Sequence, residues 1–357
     1  MILHYELLLL FTSIASVIYI YGLPFQIIYI VCPILLYILI GLFFKINFPL
    51  KIQSFILFIF LYLITNIVLQ YYLNAHVGSV LNYTISWLLL IFGCYLCKDL
   101  DSCRIHKIIV KTAWITLAYT FLDAAWRFAH PEMSQVFDGN PVFYKYKFNS
   151  LMFEDSNFVG LLLVSINGIV LCSSSLNNVK LNSPLILTIL LATILTFSRA
   201  SIFAILFSYI LWVYFNSKKS IRILIAFAFV LSILALFAAL SDDGSFRSKF
   251  IIIELFFTKF TQLDIISQLI GVGLSNTFDY IGIGAHNILV FLVFELGLLG
   301  GLLFLMVFLM CYFLIGSSSL FIILPFFING FSLVSTSIPI MYLFLGSFIS
   351  LKQKFRG

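Results

Sequence analysis

The sequence predicts an all-α polytopic membrane protein of about twelve transmembrane helices, on three grounds. Of the 357 residues, 62% are hydrophobic and only 10% are charged. Mean hydropathy is +1.14, whereas a soluble domain is roughly half apolar and a quarter charged. The apolar residues fall in long continuous runs, and the basic residues gather between alternate runs. So apolar a chain has too little polar surface to cover a water-facing globule. That excludes a soluble enzyme, a disordered chain and a collagen-like repeat. The formal net charge of +6 comes without a Lys/Arg run or a basic helix interleaved with aromatics, so nucleic acid is not an expected partner.

A spanning helix needs about 20 mostly apolar residues. Twelve stretches qualify: 3–21, 25–44, 52–70, 80–97, 108–126, 156–175, 184–197, 200–216, 222–240, 286–312, 319–333 and 337–351. The first carries His4 and Glu6, lacks a basic n-region and shows no small-residue cleavage site. It reads as a retained helix rather than a cleaved signal. The runs 184–197 and 200–216 are near the short limit. So are the last two, which are also compatible with one re-entrant pair. A membrane barrel would show alternating segments of about 10 residues, and these runs are continuous.

Thirteen of the 20 Lys and Arg residues follow the second, fourth, sixth, eighth and twelfth runs: Lys45, Lys51, Lys98, Arg104, Lys107, Lys111, Lys180, Lys218, Lys219, Arg222, Lys352, Lys354 and Arg356. The other seven, Arg127, Lys145, Lys147, Arg199, Arg247, Lys249 and Lys259, fall on the opposite side. The positive-inside rule then puts both termini in the cytoplasm. Of the 14 acids only Glu6, Asp99 and Asp101 share that side. The expected outer face carries two long loops, 127–155 and 241–285, while the other connections are short. Long loops in compact folds tend to be functional. The whole chain reads as a single integral membrane domain.

None of the six cysteines (Cys32, Cys94, Cys97, Cys103, Cys172 and Cys311) lies in either outer loop, so no structural disulfide is expected there. Cys94 and Cys97 form a C-x-x-C without further ligands or a βαβ context, and packing is their expected role.

Three features of the outer face carry candidate chemistry. Arg199, in Ser198-Arg199-Ala200, lies where two short helices meet with almost no loop. A charge at the membrane edge is either functional or a snorkelling side chain. Arg247 opens an apolar, helix-like stretch from Lys249 to Phe260. Glu254, Thr258 and Gln262 recur on one face of it, as in a helix lying on the membrane surface. Arg247 alone reads first as a solvated arginine on a loop. The third feature is Gly271-Val272-Gly273, followed by His286-Asn287 and then Glu295-Leu296-Gly297-Leu298-Leu299-Gly300. Asn287 is a candidate cap and His286 a candidate interfacial side chain. Glu295, two turns into the run, needs a partner or a wet cavity.

In this order the features resemble the O-antigen ligase/polymerase superfamily of bacterial membrane glycosyltransferases. Phe153-Glu154-Asp155-Ser156-Asn157 resembles that family's acid–small–Asn motif at the start of a middle span. The motif-bearing part covers roughly residues 150–305. The family often has Gly where Ala200 follows the arginine, and often Trp a few residues after the loop arginine, where Phe250 stands here. The resemblance implies a GT-C-like bundle in the bacterial inner membrane with its site facing the periplasm. It implies metal-independent, inverting transfer of a glycan from undecaprenyl diphosphate, without a cofactor. The implied partners are an undecaprenyl-diphosphate-linked donor and acceptor, membrane lipids and a chain-length regulator.

Cleavage of the bond between the anomeric carbon and the diphosphate leaves negative charge that a cation must stabilise. Arginine suits this, being always charged and able to grip phosphate oxygens through two donors. The expected roles follow. Arg199 and Arg247 bind the diphosphate, and His286 accepts the acceptor's proton or donates to the diphosphate. Glu295 orients His286, Asn287 bonds sugar, and Asp155 and Asn157 line the cavity or cap the sixth helix. Asp99-Leu100-Asp101 has a metal-binding spacing, but it falls on the cytoplasmic side in a solvated loop. The leading function is O-antigen polymerase; the alternatives are the ligase to lipid A–core and, in another class, a lipid-linked oligosaccharide flippase. A flippase would be expected to carry internal repeats and charges along a central path.

Overall fold

The computed structural model describes residues 2–23, 26–43, 48–135, 142–225, 244–333 and 338–354. The described residues hold helices and no strand. Helices α1 (Ile2–Ala15), α2 (Ile27–Phe43), α3 (Leu50–Tyr72), α4 (Val77–Leu96), α5 (Ser102–Ala129), α6 (Ser156–Asn177), α7 (Ser183–Ile194) and α8 (Arg199–Asn216) follow the first eight apolar runs in order. The ninth run, 222–240, falls mostly outside the described residues. The second long connection is itself largely helical, with α9 (Gly244–Phe260), α10 (Ile265–Ile270) and α11 (Thr277–Ile281). A single turn α12 (Ile288–Val290) and a π-helical turn (Phe291–Glu295) precede α13 (Gly297–Ile315), α14 (Leu320–Gly330) and α15 (Pro339–Lys354).

Six of these helices, α3, α4, α5, α6, α8 and α13, are long and apolar enough to cross a membrane. The apolar helices α1, α2, α7, α14 and α15 are shorter. The chain is therefore a helical, membrane-embedded protein in which length and apolar composition assign six spans among the described residues, where the sequence leads to twelve. The tenth expected run is shortened for a clear reason. The π-helical turn breaks 286–312 and leaves α13 as the spanning part.

The bundle is organised around α6, buried over 89% of its apolar window, and around the crossing of α4 with α15. At that crossing the two backbones touch. A Cβ on Gly93 would lie 2.0 Å from the Leu343 carbonyl oxygen, and one on Gly346 would lie 1.9 Å from that of Leu90. Small residues let membrane helices approach this closely, and packing then replaces the hydrophobic drive that lipid does not supply. Ser350 Oγ adds a hydrogen bond to the Cys94 carbonyl at 2.6 Å. Cys94 and Cys97 are buried free thiols, in keeping with their packing role. Around the crossing, Trp87 meets Tyr62, Phe304 and Tyr342 edge-on, an arrangement that aromatic quadrupoles favour.

Two clusters of charged residues stand at opposite ends of α5. At one end Asp101 caps α5, its carboxylate accepting from the Arg104 backbone N–H at 2.8 Å. Arg104 also pairs with Asp101 at 3.0 Å and with Glu6 at 3.2 Å. Thus Asp101 and Glu6, both assigned to the cytoplasmic side from the sequence, share one cluster. His106 Nδ1 lies 2.9 Å from Ser173 Oγ near the far end of α6. At the other end stand the last turn of α5 and the first turn of α6, whose 22 residues span about 33 Å. The first outer connection was expected to begin at residue 127, but α5 continues to Ala129 and draws Arg127 fully inside the protein.

Candidate functional site

The site is built at the N-terminal end of α6. The Asp155 carboxylate accepts from the Asn157 backbone N–H and from Asn157 Nδ2, each at 2.8 Å. It caps the helix, where a negative charge is also favoured by the helix dipole. Ser156 next to it donates from Oγ to the Thr196 carbonyl at 2.7 Å. That bond brings the α7–α8 turn, and with it Arg199, beside the start of α6. Arg199 is the first residue of α8 and is exposed. Ser201, one half-turn further, donates to Asn329 Oδ1 of α14 at 3.0 Å. Just past α14, the Phe331 carbonyl accepts from Asn287 Nδ2 at 2.9 Å. The stretches around residues 155, 199, 287 and 329 are thus linked in one hydrogen-bonded group.

His286 enters this group together with a residue the sequence had not singled out. Lys249, in the first half of α9, and Asp155 both act electrostatically on the His286 ring. His286 is exposed, yet partial desolvation by the surrounding protein and the Lys249 ammonium both disfavour the imidazolium. The Asp155 carboxylate opposes them, and the net shift is downward from 6.5. Lys249 is lowered in turn by burial, against the pull of Asp155. On balance these surroundings favour the neutral imidazole of His286 over its charged form. No periodicity signals Lys249, because it lies at the start of the apolar stretch rather than on its polar face. Arg247 lies in the first turns of α9, and its side chain falls outside the described residues.

The remaining expected site residues have well-defined places. Asn287 is 1% exposed. Its Oδ1 accepts from the Leu289 N–H at 2.8 Å while Nδ2 holds Phe331, so both ends of the amide brace the chain. Glu295 is 5% exposed, and its carboxylate accepts from Thr277 Oγ1 at 2.7 Å. Its partner is thus α11 rather than the histidine. The Gly271-Val272-Gly273 and Glu295-x-Gly297 motifs meet each other. The π-helical turn leaves carbonyls free, and the N–H groups of Val272 and Gly273 donate to the Phe294 and Glu295 carbonyls at 2.8 and 3.1 Å. Gly271 and Gly297 have φ of +86° and +73°, a region glycine enters without penalty. The same loop reaches α3, where Gln70 Oε1 accepts from the Leu274 N–H at 2.7 Å.

A buried ion pair holds this end of the protein together. Asp123 and Arg127 are both inaccessible to solvent, 2.9 Å apart. Asp123 also accepts from Ser150 Oγ at 2.6 Å and from the Leu151 N–H at 2.7 Å. Arg127 donates to the Tyr146 carbonyl at 2.6 Å and the Leu195 carbonyl at 3.1 Å. Two side chains on α5 thus fix both the segment leading to Asp155 and the turn leading to Arg199. Among the described residues no group of three or more His, Cys, Asp and Glu is arranged to hold a metal ion. A groove of about 500 Å³ lined by Tyr214, Lys219, Arg222 and Ile223 lies at the other end of α8 and shares no residue with this site.

No protein-family model and no curated protein matches this chain. Fold and site together define a membrane-embedded helical protein with an acid–imidazole–ammonium group at one end of its bundle.

The electrostatics predict a measurable titration. In a variant whose other four histidines are replaced by Gln (the chain has five), diethylpyrocarbonate modification of His286 should show a midpoint below 6.5. Lys249→Met should raise that midpoint and Asp155→Asn should lower it. Because the folded-state value lies below the unfolded one, the stability linked to His286 is present above pH 6.5 and declines as pH falls through the window beneath it. A midpoint that ignores both substitutions would dissociate His286 from the two charges.

Proposed function

We propose that this protein is an O-antigen polymerase of the bacterial inner membrane, a metal-independent inverting glycosyltransferase with its site facing the periplasm. It moves the growing glycan from undecaprenyl diphosphate to a lipid-linked repeat unit in lipopolysaccharide biosynthesis. The observation that carries the reading is that Asp155 and Lys249 both act electrostatically on His286, while Ser156, next to Asp155, holds the turn from which Arg199 starts α8. In the reaction an acceptor hydroxyl attacks the anomeric carbon. The bond from that carbon to the diphosphate oxygen breaks with its electron pair, and the hydroxyl proton must leave. An imidazole whose charged form is disfavoured suits the role of proton acceptor. Arg199, Arg247 and Lys249 supply cations for the departing diphosphate. Asp155 holds the charge balance around the imidazole, and Asn157 braces it.

The test is complementation of a strain lacking this chain. Loss of a polymerase leaves lipopolysaccharide carrying a single repeat. Loss of a ligase leaves bare core with long chains on undecaprenyl diphosphate, and loss of a flippase traps single repeats at the cytoplasmic face. Single-repeat lipopolysaccharide is the expected phenotype. Arg199→Ala, Arg247→Ala and His286→Ala, inserted at normal levels, should fail to restore the ladder, each with at least a hundredfold loss of polymer, the usual scale for a catalytic base or charge-stabilising donor. Full ladders from all three variants would reject the proposal.

A further inference from the structure

The turn between α7 and α8 contains an uncommon backbone conformation. Phe197 has φ +56°, uncommon for a non-glycine residue and strained for a bulky one. Such strain persists only where the surroundings fix it, and it gathers at ligand sites. Here both preceding carbonyls are held, Leu195 by Arg127 and Thr196 by Ser156. The result turns the Phe197 ring out of the bundle onto a set of aromatic rings. Phe143 stacks on it at 5.6 Å and 20°. Tyr146 lies at 6.4 Å and 28°, and Phe128 meets it edge-on at 6.0 Å.

These rings form a shelf, not a core. Phe128 is 42% exposed, and Phe143, Tyr146 and Phe197 are half-buried. Cations border the shelf. Lys145 stands 4.9 Å over the Tyr146 ring, while Arg199 begins α8 two residues after Phe197. A purely lipid-facing belt requires neither a strained backbone nor a lysine drawn onto one of its rings. A pyranose ring attached to a diphosphate fits both features. Its C–H face packs against an aromatic face, its hydroxyls accept from an ammonium group, and its anionic end lies toward the arginine.

We propose that the Phe143–Tyr146–Phe197 shelf is a saccharide subsite, holding a sugar ring of the lipid-linked glycan beside the group that receives its diphosphate. The inference rests on the glycosyl-transfer reading above and adds to it the surface that binds sugar. The test is binding of two probes to the purified full-length protein: undecaprenyl diphosphate alone, and undecaprenyl diphosphate bearing one N-acetylglucosamine. The wild type should bind the sugar-bearing probe more tightly, by roughly tenfold, the scale of one aromatic contact. Phe197→Leu keeps the bulk and the backbone strain but loses the aromatic face, and it should abolish that gain while leaving the bare lipid unaffected. Phe197→Tyr should retain it.

Equal binding of both probes by the wild type, or an undiminished gain in Phe197→Leu, would overturn the subsite and leave the glycosyl-transfer reading standing. Failure of the wild type to bind either probe would count against both. In cells, Phe197→Leu should shorten the lipopolysaccharide ladder and Phe197→Tyr should restore it; a full ladder from Phe197→Leu would likewise overturn the subsite.

Discussion

Arg127→Ala should destabilise the protein by about 3–5 kcal/mol, the usual cost of removing one partner from a buried ion pair. The size of the effect follows from what remains. Asp123, inaccessible to solvent, would keep a charge with Ser150 Oγ and the Leu151 N–H as its remaining partners. The Tyr146 and Leu195 carbonyls would each lose a charged donor, and hydrogen bonds to charged groups are the stronger ones. Asp123→Ala should cost a similar amount by stranding the guanidinium. The double variant should cost clearly less than the two single losses together, because neither charge is then left alone. Denaturant unfolding in detergent micelles measures all three, and strictly additive losses would show that the pair is not coupled.

Gly297→Ala should cost on the order of 3 kcal/mol or more, combining a left-handed backbone position with overpacking. The added Cβ would sit 2.3 Å from the Gly271 nitrogen and 2.4 Å from the Ile270 carbonyl carbon. Both are backbone atoms, so no flexible side chain can swing aside. Gly271→Ala meets the same obstacle from the opposite side, 2.3 Å from the Glu295 carbonyl oxygen. Gly316→Ala is the control. Its φ is +95° but no atom lies within 4 Å of the added carbon, leaving strain alone, about 1–2 kcal/mol. Folded yield in membranes and melting temperature in detergent should rank Gly297→Ala well below Gly316→Ala. Equal values would dismiss the backbone contact as a source of stability.

The apolar runs made most of the helices legible in the sequence. Hydrophobicity over 20 residues is a strong signal, and each run outside 222–240 coincides with a helix. Glu6 and Asp101, expected on one side from the charge pattern, share one cluster around Arg104. What escaped was local backbone geometry. Glu295-x-Gly297 looks like uninterrupted helix, yet the backbone widens there to a π-helical turn. Asp123 and Arg127 have the spacing of any exposed i, i+4 pair. Burial, which tertiary packing alone decides, makes them a clamp instead. At the site, Arg199, His286 and Asp155 stood out because a charge or a cap at the edge of an apolar run is conspicuous. Lys249 did not, since its importance comes from two residues far away in sequence. Glu295 was legible as a residue that needs a partner, but the sequence had no means of naming Thr277.

The contact between α4 and α15 bears on how the chain is made. Cys94 and Ser350 are 256 positions apart, and a ribosome adding about 5–20 residues per second needs well over ten seconds to bridge them. Through that interval α4 resides in the bilayer with its glycine face covered by lipid or by a temporary neighbour. The contact between α4 and α15 must therefore wait for synthesis to pass residue 350. Ribosome stalling or truncation before that point would strand an early helix without its mate, leaving the nascent protein open to quality-control proteases.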